Sequence, residues 1–112
     1  MDIRPVNPGH LLVVPTTHAV GLADLDPDTG AHLFRTAQRM AAALRASGIR
    51  CEGVNLFLAD GKAANQEVFH AHLHVIPRFR RDGFGFKFPM RYYVPTRRAA
   101  LEENAEQIRR VL

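Results

Sequence analysis

Three histidines at alternate positions constrain this chain more than any other feature of its sequence. They are His70, His72 and His74, and small or apolar residues stand between them. Because alternate side chains of a β-strand share one face, the pattern predicts a strand from about Val68 to Ile76. Its imidazoles would line up about 6.6–6.8 Å apart on one face, while the opposite face enters the core.

Two more strands and one main helix are predicted before the histidine row. Short apolar runs indicate strands over 11–14 and 53–58. Between them, Asp26 is well placed to cap a helix over about 27–47, with Pro27 as its first residue. Apolar residues recur along this segment every three or four positions, which is typical of a helix with one buried face.

A second helix is predicted over about 97–112, where Thr96 can act as the N-cap. Its apolar residues form one stripe, made of Leu101, Ala105, Ile108 and Leu112. A length of 112 residues fits a single domain, so 1–112 is expected to form one unit. Strands that follow one another around one main helix predict an α+β fold with an antiparallel sheet.

Composition and cysteine content exclude several classes of protein. Hydrophobic residues make up 46% of the chain and charged residues 23%, which is typical of a globular domain and not of a disordered, collagen-like or coiled-coil protein. The single cysteine, Cys51, can form neither an internal disulfide nor a four-cysteine zinc site. No apolar run approaches the ~20 residues of a membrane span, and residues 1–5 do not resemble a signal peptide. We therefore expect a soluble cytoplasmic protein with no membrane partner.

The net charge is +4, and the excess of basic residues falls late in the chain. From Arg78 to Arg98 there are seven arginine or lysine residues against Asp82 alone. Such a field favours an anionic ligand, although a solvated surface is the more frequent reason for clustered charge. The aromatic residues among these charges match no nucleic-acid-binding motif, so a nucleic acid partner is not expected.

A row of three imidazoles has two competing uses. Histidines two positions apart on a strand can share a metal ion if a third ligand reaches it, but only Glu67 and Asp82 offer carboxylates close to the row. The alternative is catalysis at phosphorus, since a neutral imidazole can attack when its other nitrogen is held as a donor. Neighbouring histidines could fix that tautomer and protonate the leaving group. For His18 and His32, outside the row, a structural role is expected.

The segment 70–76 resembles the histidine triad (HIT) motif at all seven of its positions. Residues 2–15 are similar to the substrate-pocket segment of that family, and 66–69 lead into the triad as they do in the family. The resemblance covers about 2–86 and leaves a C-terminal extension that contains the second helix. It implies a HIT-like antiparallel sheet with one main helix and a C-terminal helix.

The resemblance also implies an activity. Proteins of this family bind purine nucleotides and cleave bonds at the α-phosphorus through a nucleotidyl-histidine intermediate, without a metal or other cofactor. The middle histidine of the motif is the nucleophile, and this role corresponds to His72. His70 would contact the phosphate and the leaving group, His74 would orient the nucleophile, and His10 would complete the polar cluster.

The nucleotide-binding residues that the resemblance implies lie in two segments. Asp2 matches the position that binds the ribose hydroxyls, where a carboxylate can accept hydrogen bonds from two adjacent donors. Ile3 matches the apolar contact beside the base. The phosphate-facing segment corresponds to Asn65, Gln66 and Glu67.

Two residues of that loop depart from the family pattern. Asn65 replaces a common glycine, and asparagine is among the non-glycine residues that best tolerate a positive φ. Glu67 replaces a hydroxyl residue, and its carboxylate would repel a highly charged product. This difference favours phosphoramidates or mixed anhydrides of AMP-like nucleotides as substrates. The alternatives are a dinucleoside polyphosphate hydrolase, a catalytically weak nucleotide-binding regulator and a metalloenzyme.

Two further expectations follow from the resemblance. The family forms two-fold homodimers, and the apolar stripe on 31–44 is broad enough to serve both a core and a partner, or a core alone. The family also has an amino-terminal segment with two strands before the position of Asp2. Because this sequence starts at Met1, we expect the natural protein to be longer, and the shorter chain to bind nucleotide more weakly and to self-associate more.

Overall fold

The strand that carries His74 lies in the middle of a three-stranded antiparallel sheet. The structure is a computed structural model that describes residues 1–112. Its strands are β1 (Leu11–Val13), β2 (Gly53–Phe57) and β3 (Leu73–Arg78). They are ordered β1-β3-β2. His74 lies opposite Leu12 of β1 and Phe57 of β2, so these three side chains share one face of the sheet.

The main helix, α1 (Pro27–Ala46), packs against the opposite face of the sheet. Asp26 caps its start by accepting hydrogen bonds from the backbone N–H groups of Asp28 and Thr29, at 3.0 and 3.1 Å. The core between helix and sheet consists of Val13, Leu33, Ala37, Ala41, Leu44 and Val75. The predicted main helix is confirmed, and its cap is the residue that the sequence indicates.

The central strand begins later than the sequence predicts, at Leu73 and not near Val68. His70 and His72 therefore lie in the segment that leads into β3, and only His74 lies within it. The rings of His72 and His74 are 4.8 Å apart between centroids, which is closer than the spacing of an extended row. The expectation of three evenly spaced imidazoles on one strand is wrong.

The neighbouring strand explains why β3 begins only at Leu73. Val13 of β1 lies opposite Leu73 and is the last residue of that ladder. Two residues later comes Pro15, which has no N–H to donate to a continued ladder. The N–H of Ala71 bonds instead to the carbonyl oxygen of Ala19 at 2.7 Å, so the chain leaves the sheet at this point.

The second helix, α2 (Arg98–Arg109), is shorter than predicted. Its N-cap residue is Arg97, and no side chain caps it, so the predicted cap at Thr96 is wrong. The apolar stripe of α2 does not enter the core, since Leu101 is 54% exposed and Ile108 is 58% exposed.

The architecture is α+β, with an antiparallel sheet, one main helix and a C-terminal helix, as predicted. Single 3-10 turns at Leu22–Asp24, Lys62–Ala64 and Met90–Tyr93 connect these elements. None of the helices is long and apolar enough to cross a bilayer.

Candidate active site

A cavity of about 440 Å³ opens on the face of the sheet that carries Leu12, His74 and Phe57, away from α1. Most residues predicted from the sequence to form a site line this cavity: Asp2, Ile3, His10, Asn65, Glu67, His72 and His74. Two others, Gln66 and His70, do not line it. Folding thus brings residues from near the start of the chain, from the loop at 65–67 and from the histidine row into one depression.

The hydrogen bonds around His10 determine which of its ring nitrogens carries the proton. The backbone N–H of Val6 donates to His10 Nδ1 at 3.2 Å, so the proton of the neutral ring sits on Nε2. His10 Nε2 lies 2.9 Å from His74 Nδ1 and donates to it. His74 must then carry its own proton on Nε2. The two rings form one ordered pair with a defined direction of donation.

Burial favours the neutral form of both rings of this pair. The His10 side chain is only 3% exposed. Burial lowers the pKa of His10 and of His74 below the ordinary value of 6.5, and the neighbouring His72 lowers the pKa of His74 further. Asp2 acts in the opposite direction on His10, because its carboxylate Oδ2 lies 3.6 Å from Nδ1. Desolvation outweighs this attraction.

His72 is held in the tautomer that a nucleophile needs. Its Nδ1 lies 2.7 Å from the carbonyl oxygen of His70, so Nδ1–H donates and Nε2 keeps its lone pair. The ring is half-buried and lines the cavity. An imidazole in this state is able to attack an electrophile that binds beside it.

The ring nitrogens of His70 contact groups outside this cluster, while the ring lines a neighbouring depression together with His72. His70 Nε2 lies 3.0 Å from the carbonyl oxygen of Pro15, and its Nδ1 lies 3.4 Å from His18 Nδ1. Both ring nitrogens of His70 are therefore engaged outside the cavity. This partner was not predictable from the sequence, because His18 is 52 positions away and stands in no pattern with the histidine row.

Asp2 is held beside His10 by hydrogen bonds of its own backbone and side chain. Its N–H donates to the carbonyl oxygen of His10 at 2.9 Å, and its carboxylate accepts the N–H of Arg4 at 2.8 Å. That second bond is the main reason why the pKa of Asp2 is lowered, so the group is anionic at neutral pH. The adjacent Ile3 is 93% exposed and lines the open side of the cavity.

The loop before the triad has two parts with different surroundings. Asn65 adopts φ of +64°, the left-handed conformation that asparagine was expected to tolerate there. Gln66 is buried, and its amide accepts the N–H of Gly61 at 2.8 Å and donates to the carbonyl of Val20 at 2.6 Å. Gln66 thus holds the loop together, while the exposed Glu67 lines the cavity.

Two aromatic residues that were not predicted as site residues also line the cavity. The Phe57 ring lies 5.8 Å from that of His74 between centroids, and Phe84 lines the same cavity. No motif marks either position. Phe57 becomes identifiable only when its register opposite His74 is known.

The residues best placed to hold a metal ion are Asp2, His10 and His74, whose ligand atoms lie within 4.8 Å of one another. Two nitrogens on one tetrahedral zinc ion would be about 3.3 Å apart, given Zn–N bonds of about 2.0–2.1 Å. His10 Nε2 and His74 Nδ1 are only 2.9 Å apart, and their geometry suits a shared proton better than a shared ion.

Comparison with known proteins identifies the family of this chain. The family model described as HIT domain matches residues 1–81. An uncharacterized HIT-like protein from Borreliella burgdorferi is 42% identical over 88 residues, which cover 78% of this chain and 63% of that protein. An uncharacterized HIT-like protein from Mycobacterium tuberculosis is 44% identical over 77 residues, which cover 69% and 53%. The chain therefore spans little more than half the length of these curated relatives.

Solved structures show the same fold. A HIT family protein from Bacillus anthracis superposes with a TM-score of 0.87 at 34% identity, covering 100% of this chain and 79% of the other. A zinc-bound histidine triad family protein from Mycobacterium smegmatis gives a TM-score of 0.73 at 43% identity, covering 96% and 78%.

Proposed function

This chain belongs to the HIT domain family, and on that premise we propose that it is a hydrolase or transferase of purine nucleotide conjugates. The reaction is cleavage at the α-phosphorus of an AMP-like conjugate, either a phosphoramidate or a mixed anhydride. It proceeds through an intermediate in which the nucleotide is bonded to His72. No cofactor takes part.

One observation carries this proposal, namely the hydrogen bond of 2.7 Å from His72 Nδ1–H to the carbonyl oxygen of His70. It supports His72 as the nucleophile because it leaves Nε2 unprotonated while the ring lines the cavity. The neutral pair of His10 and His74 supports the same role. The His72 ring becomes positively charged as it attacks phosphorus, and a positively charged neighbour would repel it.

The chemistry has two displacement steps at phosphorus. In the first, the Nε2 lone pair of His72 forms a bond to phosphorus, the bond from phosphorus to the leaving nitrogen or oxygen breaks, and the leaving group takes a proton from the histidine cluster. In the second, water attacks phosphorus and returns a proton to the histidine cluster, the bond to Nε2 breaks, and the mononucleotide is released with His72 restored. An acceptor alcohol or amine in place of water gives transfer.

Substrate binding is assigned to the residues around His72. Asp2 accepts hydrogen bonds from the ribose hydroxyls, and Ile3 contacts the base. The loop residues Asn65 and Glu67 face the phosphate, with Gln66 supporting the loop from inside. The carboxylate of Glu67 repels leaving groups that carry several negative charges. Dinucleoside polyphosphates are therefore expected to be poorer substrates than phosphoramidates or mixed anhydrides.

The roles of the other histidines follow from their contacts. His74 lies between His10 and His72 and orients the nucleophile. His70 acts on the phosphate and leaving group, and this role requires it to release either Pro15 or His18 when substrate binds. The same engagement of His70 favours a second candidate, a nucleotide-binding regulator with weak catalysis.

The test is single-turnover reaction of the chain with an adenosine phosphoramidate, quenched in alkaline denaturant because a bond from phosphorus to imidazole nitrogen hydrolyses in acid, and followed by mass analysis of the protein. One adenylyl group bonded to His72 is expected, with its loss in His72→Ala and a fall in kcat of roughly 10⁴–10⁶. His32→Ala, which removes an exposed histidine of α1, is the matched control and should react normally. Unchanged turnover in His72→Ala would refute the proposal. Calorimetric AMP binding without any intermediate would favour the regulator.

A further inference from the structure

A partly buried ion pair outside the histidine cluster connects two walls of the cavity. Arg78 at the end of β3 donates to both carboxylate oxygens of Asp82, from Nε to Oδ2 at 2.6 Å and from Nη2 to Oδ1 at 2.9 Å. The Asp82 side chain is only 3% exposed, and Arg78 holds its pKa well below the ordinary range. The Arg78 side chain is 21% exposed, and ion pairs that solvent reaches add little to stability, so the geometry that this pair imposes points to another role.

On one side the pair fixes the turn that presents His10. Asn7 is buried, and its Nδ2 donates to Asp82 Oδ2 at 2.9 Å and to the carbonyl oxygen of Pro77 at 2.8 Å. The carbonyl oxygen of Asn7 accepts the N–H of His10 at 3.1 Å. The turn also needs Gly9, whose φ is +93° and where a Cβ would approach core side chains to 3.0–3.2 Å. Asp82 thus anchors one end of the turn, and His10 stands at the other.

On the other side the pair fixes Phe84. Asp82 Oδ1 accepts the N–H of Phe84 at 3.1 Å, and Arg78 donates to the carbonyl oxygen of Phe84. The Arg78 guanidinium also lies over the Phe84 ring, 4.8 Å from its centroid. Because Phe84 and His10 both line the cavity, one ion pair sets the distance between two of its walls.

We propose that Asp82, paired with Arg78, is a positioning residue for this site, which acts through Asn7 on His10 and so on the His10–His74 pair. The inference rests on the proposed function for its kinetic readout only. Asp82 itself touches neither histidine, and its effect is transmitted through the turn from Asn7 to His10. Without this anchor, His10 Nε2 moves away from His74 Nδ1. His74 then no longer holds the ring of His72 in its orientation.

The test uses three variants of the full chain. Asp82→Asn puts an amide in place of the carboxylate, where its N–H groups face the donors of Asn7 and Arg78. Asn7→Ser leaves the ion pair intact and removes the hydrogen bonds from the Asn7 amide to Asp82 and to Pro77, whereas Asp82→Asn leaves the Pro77 bond in place. Glu52→Gln is the control, because Glu52 also accepts hydrogen bonds from an arginine, Arg50, and from a backbone N–H, yet does not line the cavity.

Formation of the nucleotidyl-histidine intermediate should slow at least about tenfold in Asp82→Asn and Asn7→Ser, and stay unchanged in Glu52→Gln. In a His10→Ala background, Asp82→Asn should cause a clearly smaller loss than in the wild type, since part of its effect passes through His10 and the rest through Phe84. An equal loss in both backgrounds, or a wild-type rate in both folded variants, would overturn the proposal. If Asp82→Asn does not fold, Asn7→Ser decides.

A second readout separates this inference from the proposed function. Nitrogen–proton spectra of the imidazoles should show shifted signals for His10 and His74 in both variants, with those of His18 and His32 unmoved. If the wild-type chain turns over no nucleotide, the proposed function fails while this comparison still tests the positioning role. Unchanged His10 and His74 signals in folded Asn7→Ser would refute it.

Discussion

His10 Nε2 donates a hydrogen bond of 2.9 Å to His74 Nδ1, and the two rings are 64 positions apart in sequence. The bond exists only while His74 Nδ1 is unprotonated, because a protonated imidazole has no acceptor nitrogen. Protonation of His74 therefore breaks the hydrogen bond that holds the two rings of the site in place.

The pair predicts how stability depends on pH. Burial lowers the pKa of both rings in the folded state below 6.5, so the unfolded chain binds protons more tightly. The free energy of unfolding should be at its full value above about pH 6.5 and decrease as the pH falls below this, through the folded pKa values. Urea denaturation midpoints at about pH 7.5 and 5 measure the effect. His32→Gln should keep the same slope, and a midpoint independent of pH would contradict the prediction.

Asp2 provides a prediction about affinity. Asp2→Ala should weaken AMP binding by about 10- to 100-fold, since two hydrogen bonds to a charged acceptor are lost. Wild-type protein should also discriminate against 2′-deoxyAMP, while the variant should bind both nucleotides equally. Isothermal calorimetry measures both effects, with the exposed Glu103→Ala of α2 as the control. Equal discrimination by Asp2→Ala would show that another group reads the ribose.

Asn65 provides a prediction about the loop. At φ of +64°, Asn65→Ala should lower the free energy of unfolding by about 1 kcal/mol, because a Cβ without a polar group is disfavoured there. Asn65→Gly should be close to wild type and should open more room for the phosphate. Chemical denaturation measures the stability, with Asn104→Ala in α2 as a control that should lose none. An Asn65→Ala variant as stable as wild type would be inconsistent with this conformation.

Glu67 is expected to set the preference between leaving groups. Glu67→Ser removes a negative charge from the cavity, so kcat/KM for diadenosine tetraphosphate should rise about five- to tenfold relative to that for an adenosine phosphoramidate. Added salt should reduce this difference. Steady-state assays of both substrates supply the ratio, and Glu103→Gln is the control at an exposed carboxylate elsewhere. An unchanged ratio in Glu67→Ser would show that Glu67 does not set the preference between leaving groups.

Self-association is expected to involve the outward side of α1. Leu33 and Ala37 are buried, yet Phe34 between them is 52% exposed. We propose that the chain forms a two-fold dimer and that Phe34→Glu shifts it towards monomer at micromolar concentration, while Arg35→Glu, the next exposed position, does so much less. Light scattering measures the mass of each. A monomeric wild type would refute the dimer.

Contacts that span few residues were predictable from the sequence. Asp26 caps α1 through N–H groups two and three positions away, and helix periodicity depends on neighbours three or four positions apart. Likewise, the left-handed conformation of Asn65 is a property of the residue and its own backbone. The α+β architecture followed from the order of such local elements.

What the sequence by itself determined is therefore the identity of the elements and the residue types of the site, because short-range geometry depends on the residues concerned. The tertiary structure decided where β3 begins, because Pro15 on the neighbouring strand cannot extend the ladder. It also decided that His70 turns to His18 and that Asn7 reaches Asp82, across 52 and 75 positions. These hydrogen bonds form because the folded chain removes polar groups from water, and each such group must then find a partner among the groups that folding brings near it. No local pattern in the sequence predicts which partner that will be.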